Sequence, residues 1–308
     1  MKMLITGPLG HIGSELLNTL KKFKNLKKLY LIDSARSNNL NVLFNLKNRN
    51  IKIKFIYGNL LDKKILNQIN DKIDVVIHLA SISNAEESFK IKKLIYFNNF
   101  EIFKNIVRFC IKKKSKLIHL SSTSVYGKQE FLVDENCISL QPQSPYAHIK
   151  LMEERYLKKN KKKINFITLR FGTITGVSKG MRFHTAVNKF CLNTILKVQI
   201  PIWNDAIDQF RPYLSLSDAV RVIQFIVAKN IFNQQTYNIL TGNYTVRQIL
   251  QIIKKNNYEI KIKKVKSPIL NQNSYKVSRH KFEKFRFKFS KNLNKDIKNT
   301  LNLLKGIN

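Results

Sequence analysis

The sequence predicts an α/β chain in which a doubly wound parallel sheet comes first and a smaller C-terminal α+β region follows. Three observations predict it. Short apolar runs in the first two-thirds of the chain read as continuous rather than alternating, as strands buried on both faces do. Stretches of helical periodicity separate those runs, so the sheet they imply is covered by helices on both faces. Beyond Arg170 the alternation loses its regularity, yet no Gly/Ser linker and no internal repeat marks a break. The division expected is residues 1–173 for the first domain and 174–308 for the second, with roughly 211–242 packing back on the first.

The elements justify this in order. "KMLIT" is a strand, "HIGSELLNTLKKF" a helix, and "KKLYLID", "IKIKFIYG" and "DKIDVVIHLAS" are strands. A long helical stretch runs from Asn84 to about Lys113, followed by the strand "KLIHLSS", a helix holding "SPYAHIKLMEERYL" and the strand "NFITLRF". After Arg170 come a helix at "MRFHTAVNKFCLNTILK", strands near "VQIPIW" and "RPYLSL", the helix "SDAVRVIQFIVAK", the strand "QTYNIL" and the helix "TVRQILQIIKK". A basic, phenylalanine-rich stretch and a final helix close the chain.

At 308 residues and 44% hydrophobic content the chain can bury a substantial core. Its formal charge of +37 invites an anionic partner. Yet 45 of its 56 basic residues are lysines spread over the whole chain, alongside abundant Asn and Ile. A/T-rich codons would give that composition without selection for binding, and a nucleic-acid footprint should form a stripe. No nucleic-acid partner is expected. "SRHKFEKFRFKFSK" alternates bases and aromatics as single-strand grooves do, and the reading preferred is phenylalanines packed inward with lysines outward. Cys110, Cys137 and Cys191 are odd in number and far apart, so neither a disulfide framework nor zinc is expected. The histidines show no ligand spacing, and no metal is expected. The chain opens directly on an apolar strand and has no run of membrane-spanning length. A reducing cytoplasm is the simplest location, with no membrane partner.

"TGPLGHIG" places Gly7, Gly10 and Gly13 three apart, between the first strand and the first helix. Glycines there allow a tight turn and let a pyrophosphate reach backbone N–H groups at a helix N-terminus, where the dipole favours anions. The spacing departs from G-x-G-x-x-G; the position carries the argument. About twenty residues on, the second strand ends at Asp33, where a carboxylate accepts from adenosine ribose hydroxyls and repels a 2′-phosphate. The expectation is a Rossmann-type domain that binds NAD.

Together "TGPLGHIG", Asp33, "HLAS", "SSTSVYG", "PYAHIK" and "LRFG" occur in the order seen in the extended short-chain dehydrogenase/reductases. The chain resembles the nucleotide-sugar epimerase/dehydratase branch of that family, and "RPYLSLSDA" and "YNILTGNYTVRQIL" extend the resemblance over nearly the whole length. The resemblance implies a catalytic set of Tyr146, Lys150 and Ser122. Four residues make one helical turn, so the phenol and ammonium share a face. A phenol titrates near 10, and a lysine cation plus an oxidised nicotinamide would lower it. The resemblance also implies cofactor contacts from His11 and Ile12, from Asn59 and Leu60, from Ala80 and Ser81 through backbone, from Asn99 and from Phe171. Asn59 stands where the family usually has Asp, and its carbonyl can accept from the adenine amine. Asn99 is expected to brace the catalytic strand and the cofactor, and His78 to satisfy a local hydrogen bond.

For the substrate, Arg211 matches a family arginine that pairs with a diphosphate, which suits a guanidinium fork, and Ser122, Thr123, Thr173 and Arg182 join it. Two departures stand out. Thr173 replaces the usual Asn of an R-x-x-N segment, and "KSPILNQNSYKVS" lacks the Arg-x-Gly-Asp clamp. "MRFHTAVNKF" offers Arg182 or His184 instead. Related 4,6-dehydratases carry Asp-Glu where this chain has Thr123 and Ser124, which disfavours dehydration. The reading is an NAD-dependent nucleotide-sugar epimerase acting through a keto sugar. Its alternatives are an NAD(P)H-dependent keto-sugar nucleotide reductase and a non-catalytic Rossmann protein binding nucleic acid or another anionic partner. A homodimer through the helices around Asn99 and Tyr146 accompanies the resemblance.

Overall fold

The run "KMLIT" forms β1 (Lys2–Thr6), and apolar side chains on both of its faces make it the middle of a sheet. The computed structural model describes residues 1–44, 46, 50–84, 87–204, 206–266 and 274–307. After β1 come α1 (His11–Asn18), β2 (Lys28–Asp33), β3 (Lys52–Tyr57), α2 (Lys63–Asn67), β4 (Val75–His78), α3 (Lys92–Lys113) and β5 (Lys116–Ser122). Then follow β6 (Leu132–Val133), α4 (Pro145–Lys159), β7 (Phe166–Phe171), β8 (Thr173–Thr175), α5 (Ala186–Ile195), β9 (Ile200–Trp203) and β10 (Phe210–Ser215). The remainder is α6 (Leu216–Lys229), β11 (Thr236–Ile239), β12 (Gly242–Thr245), α7 (Val246–Lys254), β13 (Ile262–Val265), β14 (Lys276–Val277), α8 (His280–Glu283) and α9 (Asn294–Leu304).

Seven strands form one parallel sheet in the order β11-β7-β5-β4-β1-β2-β3. The chain builds outward from β1 to β3, then crosses back to add β4 on the other side of β1. Strand order therefore reverses between β1 and β4, and a crevice opens there at the carboxyl ends of the strands. One apolar layer, from Leu16, Leu29, Ile118 and Ile223 among others, fills the face under α1 and α6. A second, with Ile102, Phe103 and Leu157, fills the face under α3 and α4. The two layers cover both faces of the sheet.

The C-terminal region has its own core, in which Val187, Ile200, Ile249 and Leu301 meet. It is tied to the first sheet by strand as well as by packing, because β11 pairs in parallel with β7. The basic, aromatic stretch folds with Phe282 fully buried and in ring contact with Phe225, Tyr237, Phe285, Phe287 and Phe289. Its phenylalanines lie inward, and the charges stay at the rim.

Three predicted helices change length. The stretch from Asn84 begins as a single tight turn at Glu87–Phe89, and α3 starts only at Lys92. The first helix stops at Asn18 and continues as a tighter turn over Leu20–Lys22. Met181 to Thr185 are not helical: α5 begins at Ala186, so Arg182 and His184 sit on an irregular strap. Among the described residues, no helix is long and apolar enough to cross a membrane, and no group of three His, Cys, Asp or Glu side chains could hold a metal.

Candidate active site

The crevice widens into a cavity of about 770 Å³. At one end lies the turn after β1. Gly7 has φ +70°, and a Cβ there would stand 2.6 Å from the Ala80 backbone nitrogen, so the loop after β4 can close on the turn only because this residue is glycine. No side chain caps the N-terminus of α1 at Gly10, and Gly10, His11, Ile12 and Gly13 line the cavity. An uncapped helix start opening into a crevice is a fit for a dinucleotide pyrophosphate. Asp33, at the end of β2, accepts from Leu9 N at 3.1 Å and Ala35 N at 2.9 Å. It braces the turn, and burial raises its carboxyl above the usual value.

At the other end, Ser144 caps α4 by accepting from Ala147 N at 3.2 Å, and Pro145 starts the helix. That cap sets where Tyr146 and Lys150 emerge. Both line the cavity, with the Lys150 ammonium 5.7 Å from the phenol ring centre. Burial raises the phenol above its usual 10 and outweighs the pull of Lys150. Lys150 does pull the phenol down, as expected of it, but in the protein without its cofactor burial is the larger effect. Ser122 ends β5 in register with Phe171 of β7. Its oxygen accepts from Ser124 N at 3.2 Å and from Ser124 Oγ at 2.8 Å. With both lone pairs taken, the Ser122 hydroxyl has its proton left to donate.

Ser81, Phe171, Thr173, Thr123, Arg182 and Arg211 also line the cavity. Thr123 Oγ1 donates to the Phe171 carbonyl at 3.3 Å. Ala80, Asn99, Asp33, Asn59 and Leu60 stand behind or beyond it. Asn99 accepts from Ile82 N at 2.9 Å and donates to Ile82 O at 3.0 Å, so it braces the loop after β4 rather than the catalytic strand. The exposed Asn59 spends one lone pair on Leu61 N at 3.0 Å, which leaves one for an adenine amine. The Leu60 carbonyl accepts from Asn105 at 2.9 Å. His78 is buried beside Thr6 Oγ1 at 2.7 Å.

The strap from Gly176 to Thr185 closes over the glycine turn. Ser178 Oγ donates to His11 O at 3.0 Å, Gly180 N donates to Ser14 Oγ at 3.0 Å, and His11 Nε2 lies 2.8 Å from Gly176 O. Burial lowers His11 to about 4, so it is neutral and donates from Nε2. Arg182 donates to Ser83 Oγ at 2.6 Å, and its Nη2 lies 3.6 Å from where a Gly10 Cβ would be. Its expected place was with the substrate; it borders the cofactor turn as closely. Burial draws its guanidinium below the usual arginine value.

Sequence reasoning missed Tyr275, whose ring faces the Arg211 guanidinium at 5.3 Å and whose hydroxyl lies 3.5 Å from Thr123 Oγ1. It missed Lys189, Trp203, Gln209 and Lys266 in the lining. No local motif marks them; chain crossing brings them in. The segment lacking the Arg-x-Gly-Asp clamp falls largely on residues 267–273, outside the described residues.

Comparison with known proteins places this geometry. The model of the "NAD dependent epimerase/dehydratase family" matches residues 3–239. An ADP-L-glycero-D-manno-heptose-6-epimerase of Brachyspira hyodysenteriae is 29% identical over 78% of this chain and 76% of its own length. A dTDP-D-glucose 4,6-dehydratase of Dictyostelium discoideum is 30% identical over 82% of this chain and 62% of its own. Among solved structures, the UDP-glucuronic acid 4-epimerase of Bacillus cereus superposes with a TM-score of 0.85, covering 100% of both chains at 24% identity. Parallel sheet, switch-point crevice and glycine turn are those of the extended short-chain dehydrogenase/reductases, and the chain belongs to their NAD dependent epimerase/dehydratase family, whose cofactor is NAD.

Proposed function

We propose that the chain is a nucleotide-sugar epimerase that oxidises its substrate to a keto sugar and reduces it again on the other face. One observation carries the reading. The cavity joins the glycine turn to Tyr146, Lys150 and Ser122, and among the described residues five cationic side chains line it (Lys150, Arg182, Lys189, Arg211, Lys266) and no carboxylate does. Such a lining suits a substrate bearing a diphosphate. It offers no acid-and-base pair of carboxylates for removing water, which argues against dehydration.

In this reading Tyr146 takes the proton of the sugar hydroxyl, and the Ser122 hydroxyl donates to the same oxygen as it becomes a carbonyl. NAD, when bound, supplies a site that accepts the substrate's hydride and gives it back. The Gly7 turn, the α1 N-terminus and Asp33 would hold it, with Lys150 on the nicotinamide ribose. Arg211, stacked on Tyr275, would hold the substrate diphosphate. The strap of residues 176–185 is bonded to α1 across the pyrophosphate position. It favours a cofactor that stays bound through each cycle, as an epimerase needs, over one exchanged at every turnover, as a reductase needs. A homodimer is part of the proposal: α3 leaves Leu94 and Phe97 exposed where a partner helix would cover them.

Purified protein incubated with UDP-, GDP-, CDP- and dTDP-sugars, without added cofactor, tests this. Interconversion of a stereoisomer pair is expected. Turnover only on adding NAD(P)H would replace the epimerase with a reductase. Tyr146→Phe should lose roughly 10²–10⁴-fold in kcat, the usual worth of a general base, while keeping its fold and bound NAD. Full activity in that variant would remove Tyr146 from the mechanism.

A further inference from the structure

Behind the proposed base a buried polar chain runs from Lys150 away from the cavity, and its members beyond Lys150 have no task in this reaction. The Lys150 ammonium donates to Glu153 Oε2 at 2.8 Å. The same oxygen is 2.9 Å from His119 Nε2, and His119 Nδ1 is 3.3 Å from Thr168 Oγ1. Lys150, Glu153 and His119 are 4%, 1% and 0% exposed. Lys150 lines the cavity, whereas Glu153 and His119 do not. The chain ends inside the sheet at Thr168, so it is not a proton path to solvent.

A carboxylate only accepts, so His119 donates to Glu153 from Nε2. Glu153 is thereby held from two sides, by its own helix neighbour Lys150 and by β5. Phe103 packs over the His119 ring at 4.8 Å and closes the site. Tyr146 is faced by Lys150 and Glu153 from α4 and by Arg182 from the strap. Lys150 is faced by Tyr146, Glu153 and Glu154 from α4, and by His78 from β4. Seen from the phenol, the carboxylate 2.8 Å from the ammonium offsets part of its larger pull. The phenol stands above its ordinary value, with burial and Glu153 raising it and Lys150 and Arg182 lowering it.

We propose that Glu153, held by His119, is a positioning residue that pins the Lys150 ammonium and offsets its charge at Tyr146, so that the phenol becomes a base only beside the positive charge of an oxidised cofactor. The base would then be strong while the hydride is being taken and weak once it has been, when the proton must be ready to return. The proposal rests on Tyr146 being the base.

The test reads the phenol directly. With each protein first stripped of NAD, an ultraviolet titration of the Tyr146→Phe protein, subtracted from that of the parent, isolates one tyrosine ionisation. Lys150→Met should raise its midpoint and Glu153→Gln should lower it. The double variant Lys150→Met/Glu153→Leu, which removes both charges, should return it close to the parent's. Adding NAD⁺ should lower the parent midpoint more than adding NADH does. A Glu153→Gln midpoint at or above the parent's overturns the proposal. So does a double variant displaced as far as Lys150→Met, and that comparison decides the matter if Glu153→Gln does not fold. These titrations contain no sugar, so they judge Glu153 whatever the sugar panel shows, while turnover by Tyr146→Phe would sink the underlying reading instead.

Discussion

Two histidines beside the cofactor turn are buried without charge, and that has a consequence for stability. Burial lowers His11 from its ordinary 6.5 to about 4 and His78 to about 3. In the unfolded chain both take up protons as pH falls through 6.5; in the folded chain they resist. The unfolded state therefore binds more protons across that window, and each histidine's contribution to stability is complete above pH 6.5 and lost progressively below it. Asp296, raised to about 6 by burial, works in the opposite sense, so the histidine effect is read by difference. Between pH 6.5 and 4.5 the stability of His78→Asn should fall less steeply than the parent's, by up to about 1.4 kcal/mol per pH unit. Urea denaturation at half-unit steps checks it, and parallel slopes would contradict it. At this scale the sequence showed residues bound to a local motif: Tyr146, Lys150, Ser122 and the glycines sit where spacing put them. Glu153 and His119 were invisible, because a glutamate one turn from a lysine becomes a site only when another strand places a histidine against it.

At the scale of elements, the strap is the part that periodicity misread. "MRFHTAVNKF" has apolar residues at helical spacing, but the helix is withheld until Ala186. The residues just before this stretch, Gly176 and Gly180, are bonded by their backbone to α1, and within it the Asn188 side chain holds the Arg182 carbonyl at 2.9 Å. A local pattern cannot anticipate a segment whose hydrogen bonds are made across the fold. The contact is close enough to test with one methyl group. A Cβ on Gly180 would lie 2.5 Å from the carbonyl oxygens of both Gly10 and Leu9, which are backbone and cannot swing away. Gly180→Ala should destabilise by about 1–3 kcal/mol, the usual cost of overpacking, and lose part of its bound cofactor. Thermal melting and the NAD released from purified protein by acid measure the two. A variant that retains full NAD would show that the strap does not secure the cofactor. The seven strands of the main sheet, by contrast, were all legible as apolar runs, although "DKIDVVIHLAS" shrinks to Val75–His78; the short strands β6, β8, β12, β13 and β14 carry no such run and were not read.

For the molecule as a whole, charge is the dominant fact that the fold does not use. A net charge of +37 repels itself in the compact state. Salt screens exposed charges over about 10 Å at 0.1 M, so raising sodium chloride from about 0.05 to about 0.5 M should raise the melting temperature. A falling melting temperature would mean that attractive surface pairs outweigh the repulsion. The order of the sheet carries a different consequence. β7 is buried along its whole length in the finished fold, yet one of its neighbours, β11, is made only after the strap, α5 and α6. A nascent chain that has reached "LRFG" holds every residue of the proposed catalytic set and still presents a bare hydrogen-bonding edge, the kind that pairs with other chains. Synthesis must run through Ile239 before that edge is closed. The part of the protein that reads as a self-contained nucleotide-binding unit is thus sealed by its own distal half, and a fragment cut at the apparent boundary would inherit the chemistry along with an adhesive flank.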